Sequence, residues 1–211
     1  MKLTNRWNLF IYRVWAPLYS GLDRIAFRAG RRRSLQLLDL RAGESVLLPG
    51  VGTGADLPLL PPGVAALGID LSPAMLRRAR ARLPLSGRMI ELRLGDVQAV
   101  PVESGSFDAA VLHLILSVAS DGRACFRETI RLLKPGGRVA IFDKFAPDSG
   151  RSTFFRRLLN VFTTLAGTDI TRSFAEITSG EGFEILHTES GLLGGAYHIL
   201  TVRKTERLQD T

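Results

Sequence analysis

The sequence predicts a doubly wound α/β domain, and three observations carry that reading. From Glu44 onward short apolar runs alternate with segments of helical periodicity. A glycine-rich turn, Gly50-Val51-Gly52-Thr53-Gly54, follows the first run and precedes a helix. Asp70 closes the second run, 20 residues after Gly50. Strands that alternate with helices imply a parallel sheet covered on both faces.

Residues 1–40 read as two helices. Trp7, Phe10, Ile11, Val14, Trp15, Leu18 and Leu22 recur at steps of three and four on one face, and Pro17 kinks or ends the first helix. The second contains Arg31-Arg32-Arg33, with Leu35 and Leu38 toward the core. Val46 to Leu48 is the first strand and Ala65 to Ile69 the second. Ser72-Pro73 then supplies a cap and a proline for a helix that runs to about Leu83. Met89 to Leu94 alternates as a third strand. Phe107 to Leu112 is the fourth, and a helix from about Asp121 stops at Lys134-Pro135-Gly136-Gly137. Arg138 to Phe142 is the fifth. After Asp143 an apolar stripe, Phe154 to Phe162, marks an inserted helical stretch. Gly182 to His187 and Ala196 to Val202 read as an antiparallel pair at the sheet edge.

The 211 residues are 45% hydrophobic and 23% charged, which suits one globular domain and excludes a disordered or fibrous chain. A single cysteine, Cys125, excludes a disulfide framework and a cysteine zinc site; no metal is expected, and a reducing compartment fits. No apolar run reaches the roughly 18 residues that span a bilayer. A signal peptide is not expected, because Arg13 interrupts the first apolar stretch. The net charge is +8, and residues 1–41, with nine basic and two acidic side chains, hold +7 of it. Such a segment attracts nucleic acid, an anionic membrane or an anionic substrate, or is a solvated basic face.

Glycines after a strand let the backbone turn sharply and approach a ligand closely. An acidic group at Asp70 can accept hydrogen bonds from both hydroxyls of a ribose; it also suits a helix cap. On these two features alone a nicotinamide-dependent enzyme stays open. Asp96, after the third strand, can contact an adenine amino group, with the Val97 backbone nearby.

The series VLLPGVGTG, GIDLSPAML, GDVQAVPVESGSFDAAV and RLLKPGGRVAIFD, in that order within residues 44–143, resembles the class I S-adenosylmethionine-dependent methyltransferases. The resemblance implies a Rossmann-like, mostly parallel seven-stranded sheet whose last strand is antiparallel. It also implies one domain in three parts: an N-terminal helical lid over 1–40, a cofactor-binding core over 41–143, and a helical insert with closing strands over 144–211. S-adenosylmethionine would lie over the carboxyl ends of the strands. Gly50, Gly52, Thr53 and Gly54 would line its amino-acid end. Asp70 would hold the ribose with Leu71 beside the adenine, and Asp96 and Val97 would flank the adenine. His113 would face the cofactor and the substrate channel. Where the family usually carries an acid, this chain has Leu48; Asp56 is the residue expected to compensate.

Methyl transfer needs an in-line approach to the sulfonium methyl, and a base only where the nucleophile is protonated. His113 and Tyr19 are the candidates for positioning or deprotonation, and each equally suits a packing residue. Cys125, mid-helix, reads as core. The segment Tyr12 to Tyr19 is similar to the Y-x-x-x-A-x-x-Y lid of quinone C-methyltransferases and bacterial phosphatidylethanolamine N-methyltransferases, with Ser20 where those families usually have an acid. The glycine loop with Leu57-Pro58, and Leu192 to Tyr197, look more like the phospholipid branch. That resemblance implies N-methylation of a phospholipid amine headgroup by a cytoplasmic enzyme peripheral to the inner face of the membrane. The alternative is C-methylation of a polyprenyl quinone precursor or of another small acceptor. Trp7 and Trp15 beside arginines, and Phe154 to Phe162 with Arg156 and Arg157, suit an anionic membrane surface or pack on the domain as lid helices do. Against a nucleic-acid substrate, Leu112 to Leu116 is apolar where amine-directed enzymes often carry Asn/Asp-Pro-Pro-aromatic. Through Leu48, a non-catalytic cofactor-binding protein also stays open.

Overall fold

The computed structural model describes residues 27–83, 89–145, 173–192 and 197–205. Their strands are β1 (Ser45–Pro49), β2 (Ala65–Asp70), β3 (Met89–Leu94), β4 (Phe107–His113), β5 (Leu133–Lys144), β6 (Phe183–Leu192) and β7 (Tyr197–Lys204). They form one sheet in the order β3-β2-β1-β4-β5-β7-β6. The first five run parallel; β7 is antiparallel to both β5 and β6. The expected seven strands, with an antiparallel closing pair, are all present. The helices are α1 (Arg28–Leu38), α2 (Pro73–Arg80), α3 (Gly122–Leu132) and α4 (Phe174–Thr178), with a 3-10 turn over Leu57–Leu59.

Two apolar clusters cover the two faces of the sheet. On one side Leu35 and Leu38 of α1 and Leu76 and Ala79 of α2 pack on Val46, Leu48, Ala66, Ala109 and Val111. On the other, Cys125, Phe126, Ile130 and Leu132 of α3 pack on Leu47, Leu67, Ala110, Leu112 and Ile141. The central strands β1 and β4 are therefore buried on both faces, which explains their unbroken apolar runs. Cys125 is fully buried, and burial pushes its thiol far above the ordinary range, so it is core and not a nucleophile.

The helix starts follow their caps. Ser72 accepts from the Met75 amide with Pro73 at the first helical position, and Asp121 accepts from the Ala124 amide. Some bounds differ from the sequence reading: β5 starts at Leu133, before the expected Arg138, and β6 runs on to Leu192, past the expected His187. α2 ends at Arg80, three residues before Leu83. β3 alternates in burial over Met89 to Arg93, with Ile90 and Leu92 half-buried against the core, but as an edge strand with no helix among the described residues linking it to β4 it leaves Met89 75% and Leu94 60% exposed.

α1 meets the sheet end closely. A Cβ on Gly30 would lie 2.6 Å from the Phe142 ring, so only glycine lets the helix sit there. The lid segment 1–26, with Tyr12, Trp7, Trp15 and Tyr19, and the stripe Phe154 to Phe162 lie outside the described residues. No helix among the described residues is long and apolar enough to cross a membrane.

Candidate functional site

A cavity of about 900 Å³, open mouth included, lies at the carboxyl ends of β1, β2 and β4. That is where open α/β sheets bind ligands. Its wall brings together Gly50, Gly52, Thr53, Asp70, Leu71, Asp96, Val97 and His113, eight of the eleven residues singled out in the sequence. Tyr19 lies outside the described residues. Gly54 and Asp56 are off the wall.

The glycine loop divides its labour. Gly50, Gly52 and Gly54 all have positive φ (66°, 56° and 75°), which a side chain adopts only with strain. Around Gly52 a Cβ would meet nothing nearer than 3.8 Å, so the missing side chain leaves room at the cavity. At Gly54 a Cβ would meet Leu57 at 2.8 Å and the Ala79 Cα at 3.0 Å. Gly54 thus seats the loop against α2. Thr53 is buried and accepts from Arg82 Nη1 at 3.1 Å.

The Asp70 carboxylate takes the Gly52 amide on one oxygen at 2.8 Å and the Ser72 amide on the other at 2.9 Å. Burial nevertheless pushes its pKa up, against the pull of those two bonds. Each oxygen keeps a second lone pair for a hydroxyl. Across the cavity Asp96 accepts from the Gln98 amide at 3.0 Å and from Gln98 Nε2 at 2.9 Å. Gln98 also takes the Asp121 amide on its oxygen at 3.1 Å, tying this wall to the cap of α3.

Asp56 differs from its expected place at the cofactor's amino end. Its Oδ2 accepts from Arg31 Nη1 at 2.7 Å, and its Oδ1 lies 2.8 Å from His113 Nδ1. Burial pushes this carboxyl up, but the Arg31 guanidinium and His113 outweigh burial and hold it at about 2. Arg31 and His113 are on the wall; Asp56 stands behind them. His113 Nε2 is buried and has no hydrogen-bond partner among the described residues.

Sequence reasoning missed three wall features. Arg31 sits among three consecutive arginines, yet it is buried while Arg32 and Arg33 are exposed. The signal was its register with Ser34, Leu35 and Leu38 on the core face of α1. Gln98 had no local signal. Leu114 has φ 58°, rare for a bulky side chain, and turns the chain directly after His113 toward the wall residues Ile115, Val118 and Ala119.

Residues 47–141 match the family described as "Methyltransferase domain". The phosphatidylethanolamine N-methyltransferase of Cereibacter sphaeroides is 29% identical over 195 residues, covering 92% of this chain and 95% of that protein. The demethylmenaquinone methyltransferase of Thermus thermophilus is 31% identical over 157 residues, covering 68% of this chain and 71% of its own length. Among solved structures, geranyl diphosphate methyltransferase in complex with SAM superposes with a TM-score of 0.71 over 84% of this chain and 85% of that one, at 16% identity.

Proposed function

The chain belongs to the class I S-adenosylmethionine-dependent methyltransferases, and from that premise we propose that it N-methylates the amine headgroup of a membrane phospholipid of the phosphatidylethanolamine type. The observation that carries this reading is the length of one match: the phosphatidylethanolamine N-methyltransferase aligns over 95% of its own chain. The +7 carried by residues 1–41 supports an anionic membrane surface, at the cytoplasmic face, as the place where the acceptor is met.

The cavity's residues fit the cofactor: Gly52 leaves space beside it, Asp70 offers acceptor lone pairs, and a buried His113 nitrogen has no partner among the described residues. When bound, S-adenosylmethionine supplies an activated methyl group. In this reading the Gly50 to Thr53 backbone borders its amino-acid end and Asp70 accepts from the ribose hydroxyls. Leu71 and Val97 flank the adenine, and Asp96 accepts from its amino group. His113 takes a proton from the ammonium of the acceptor, which has no lone pair until that proton leaves. The Thermus match supports a second reading, C-methylation of a polyprenyl quinone precursor.

The test is transfer of labelled methyl from S-adenosylmethionine into a total bacterial lipid extract presented as anionic liposomes. Label in the amino-phospholipid fraction is the expected result. Label confined to the quinone fraction selects the second reading, and label in neither overturns both.

A further inference from the structure

Three side chains from three separate elements meet behind the glycine loop: Arg31 on α1, Asp56 before the 3-10 turn, and His113 at the end of β4. They are 7%, 5% and 5% exposed. An ionised carboxylate only accepts hydrogen bonds, so the 2.8 Å contact to Asp56 puts the hydrogen of a neutral His113 on Nδ1. The lone pair is then on Nε2, the buried atom that has no partner among the described residues. A buried polar atom without a partner is costly, and His113 is a lining residue of the cavity, where a ligand can supply one.

We propose that Arg31 and Asp56 are positioning residues that hold His113 in its Nδ1–H form, so that Nε2 is the atom that receives the acceptor's proton. The inference rests on the methyltransferase reading of the same cavity. In the step, an N–H bond of the acceptor ammonium breaks, its electron pair stays on nitrogen, and the proton bonds to Nε2. The Nδ1 hydrogen stays on His113, and Asp56 stabilises the imidazolium.

The order of the three residues matters. Without Arg31, a buried Asp56 would be driven to protonate. A protonated Asp56 could donate to Nδ1, and the hydrogen would move to Nε2, disabling the base. The Phe142 ring meets the His113 ring edge-on, with centroids 6.0 Å apart at 88°, and fixes its plane. Phe142 also carries Gly30, which brings Arg31 to the wall. The other acids near the cavity are accounted for: Asp70 takes the Gly52 and Ser72 amides, Asp96 takes Gln98, and Asp143 of β5 takes Ser117 and the Lys144 amide.

Asp56→Asn gives a sharp test. Its single oxygen is claimed by the guanidinium, so its NH₂ faces Nδ1 and reverses the tautomer. Nitrogen-15 NMR of the imidazole in full-length, cofactor-free protein should show Nδ1–H in the wild type and Nε2–H in Asp56→Asn. The variant should lose about 10²–10⁴-fold in kcat, the usual worth of a general base, with cofactor affinity within about threefold of wild type. Arg31→Lys, which keeps the charge, should retain the wild-type tautomer and covers the case in which Asp56→Asn fails to fold. Nε2–H in the wild type, or an unchanged tautomer in Asp56→Asn, overturns the proposal. Both spectra are read without any acceptor, so failure to methylate phospholipid would sink the substrate reading and the ammonium as proton source, while the tautomer alone decides whether Arg31 and Asp56 position His113.

Discussion

Gly54 and Ala79 are in backbone-limited contact: a Cβ on the glycine would come within 3.0 Å of the alanine Cα. The loop over the cavity is thus locked to α2 at a point off the cavity wall. Gly54→Ala should cost about 2–4 kcal/mol, combining the positive-φ strain with overpacking. Gly52→Ala has the same φ strain but open space, so its stability cost should be nearer 1 kcal/mol while cofactor affinity falls more than in Gly54→Ala. Urea unfolding and calorimetric titration of S-adenosylmethionine on both variants check the crossing. Equal effects on stability and binding in both would show that the two glycines share one role.

Asp70 is a wall group whose titration is shifted by burial. Its folded pKa is raised by burial, so Asp70 contributes stability below its unfolded pKa and loses it as pH rises through the folded value. Cofactor binding runs the other way, since the ribose hydroxyls are best received by the ionised form. Affinity for S-adenosylmethionine should therefore start to fall on acidification while still above the ordinary carboxylate range. Asp70→Ala should remove that pH dependence and weaken binding at least about tenfold at neutral pH, from the loss of hydrogen bonds to a charged group. Retention of wild-type affinity in Asp70→Ala would mean that the ribose is held elsewhere.

The opposite end of the sheet carries an acid-labile clamp. Asp108 accepts from Lys134 Nζ at 2.6 Å and from Ser45, at its amide (2.9 Å) and its hydroxyl (2.8 Å), joining β4 to β5 and β1. Burial pushes the carboxyl up, but Lys134 and Ser45 outweigh it and hold it at about 2, below the ordinary 3.8. A depressed pKa gives stability that is present above 3.8 and is lost as pH falls through about 2. Lys134→Met should shrink the stability lost between pH 5 and pH 2 by about 1 kcal/mol, a figure discounted because Lys134 is half exposed. Denaturant midpoints across that range give the comparison.

Much of this site was legible because its chemistry is local. The glycine loop and Asp96 each follow a strand end, Asp70 closes one, and the Ser72 cap sits just beyond it, so spacing alone brings them to one edge of a parallel sheet. What escaped is what depends on distant partners. Arg31 reads as one of a basic run until Asp56, 25 residues away, is seen to neutralise it. Asp56 reads as a substitute for the acid missing at Leu48, because nothing in its neighbourhood reveals that His113, 57 residues on, claims one oxygen. β3 alternates like a half-buried strand and does pack Ile90 and Leu92 on the core, but only its position at the sheet edge explains why Met89 and Leu94 stay exposed.

Ser117 and Asp143 secure the part of the wall that follows Leu114. The buried Asp143 carboxylate accepts from Ser117 Oγ at 2.7 Å and from the Ser117 amide at 3.2 Å, which anchors the Ile115 to Ser120 turn to β5. Burial raises the Asp143 pKa even against these bonds. A raised carboxylate favours the folded state below its unfolded pKa and gives that advantage up as pH rises through the folded value. Removing the hydroxyl raises the folded pKa further, so Ser117→Ala should be costlier as Asp143 ionises. We expect a loss of about 1.5–3 kcal/mol where Asp143 is ionised and a smaller one on acidification, once it is protonated. Urea midpoints across a pH series test the sign, and a penalty that grows on acidification would exclude ionised Asp143 as the partner. Since Ile115, Val118 and Ala119 line the cavity, cofactor affinity should weaken in the same variant and follow the same pH trend.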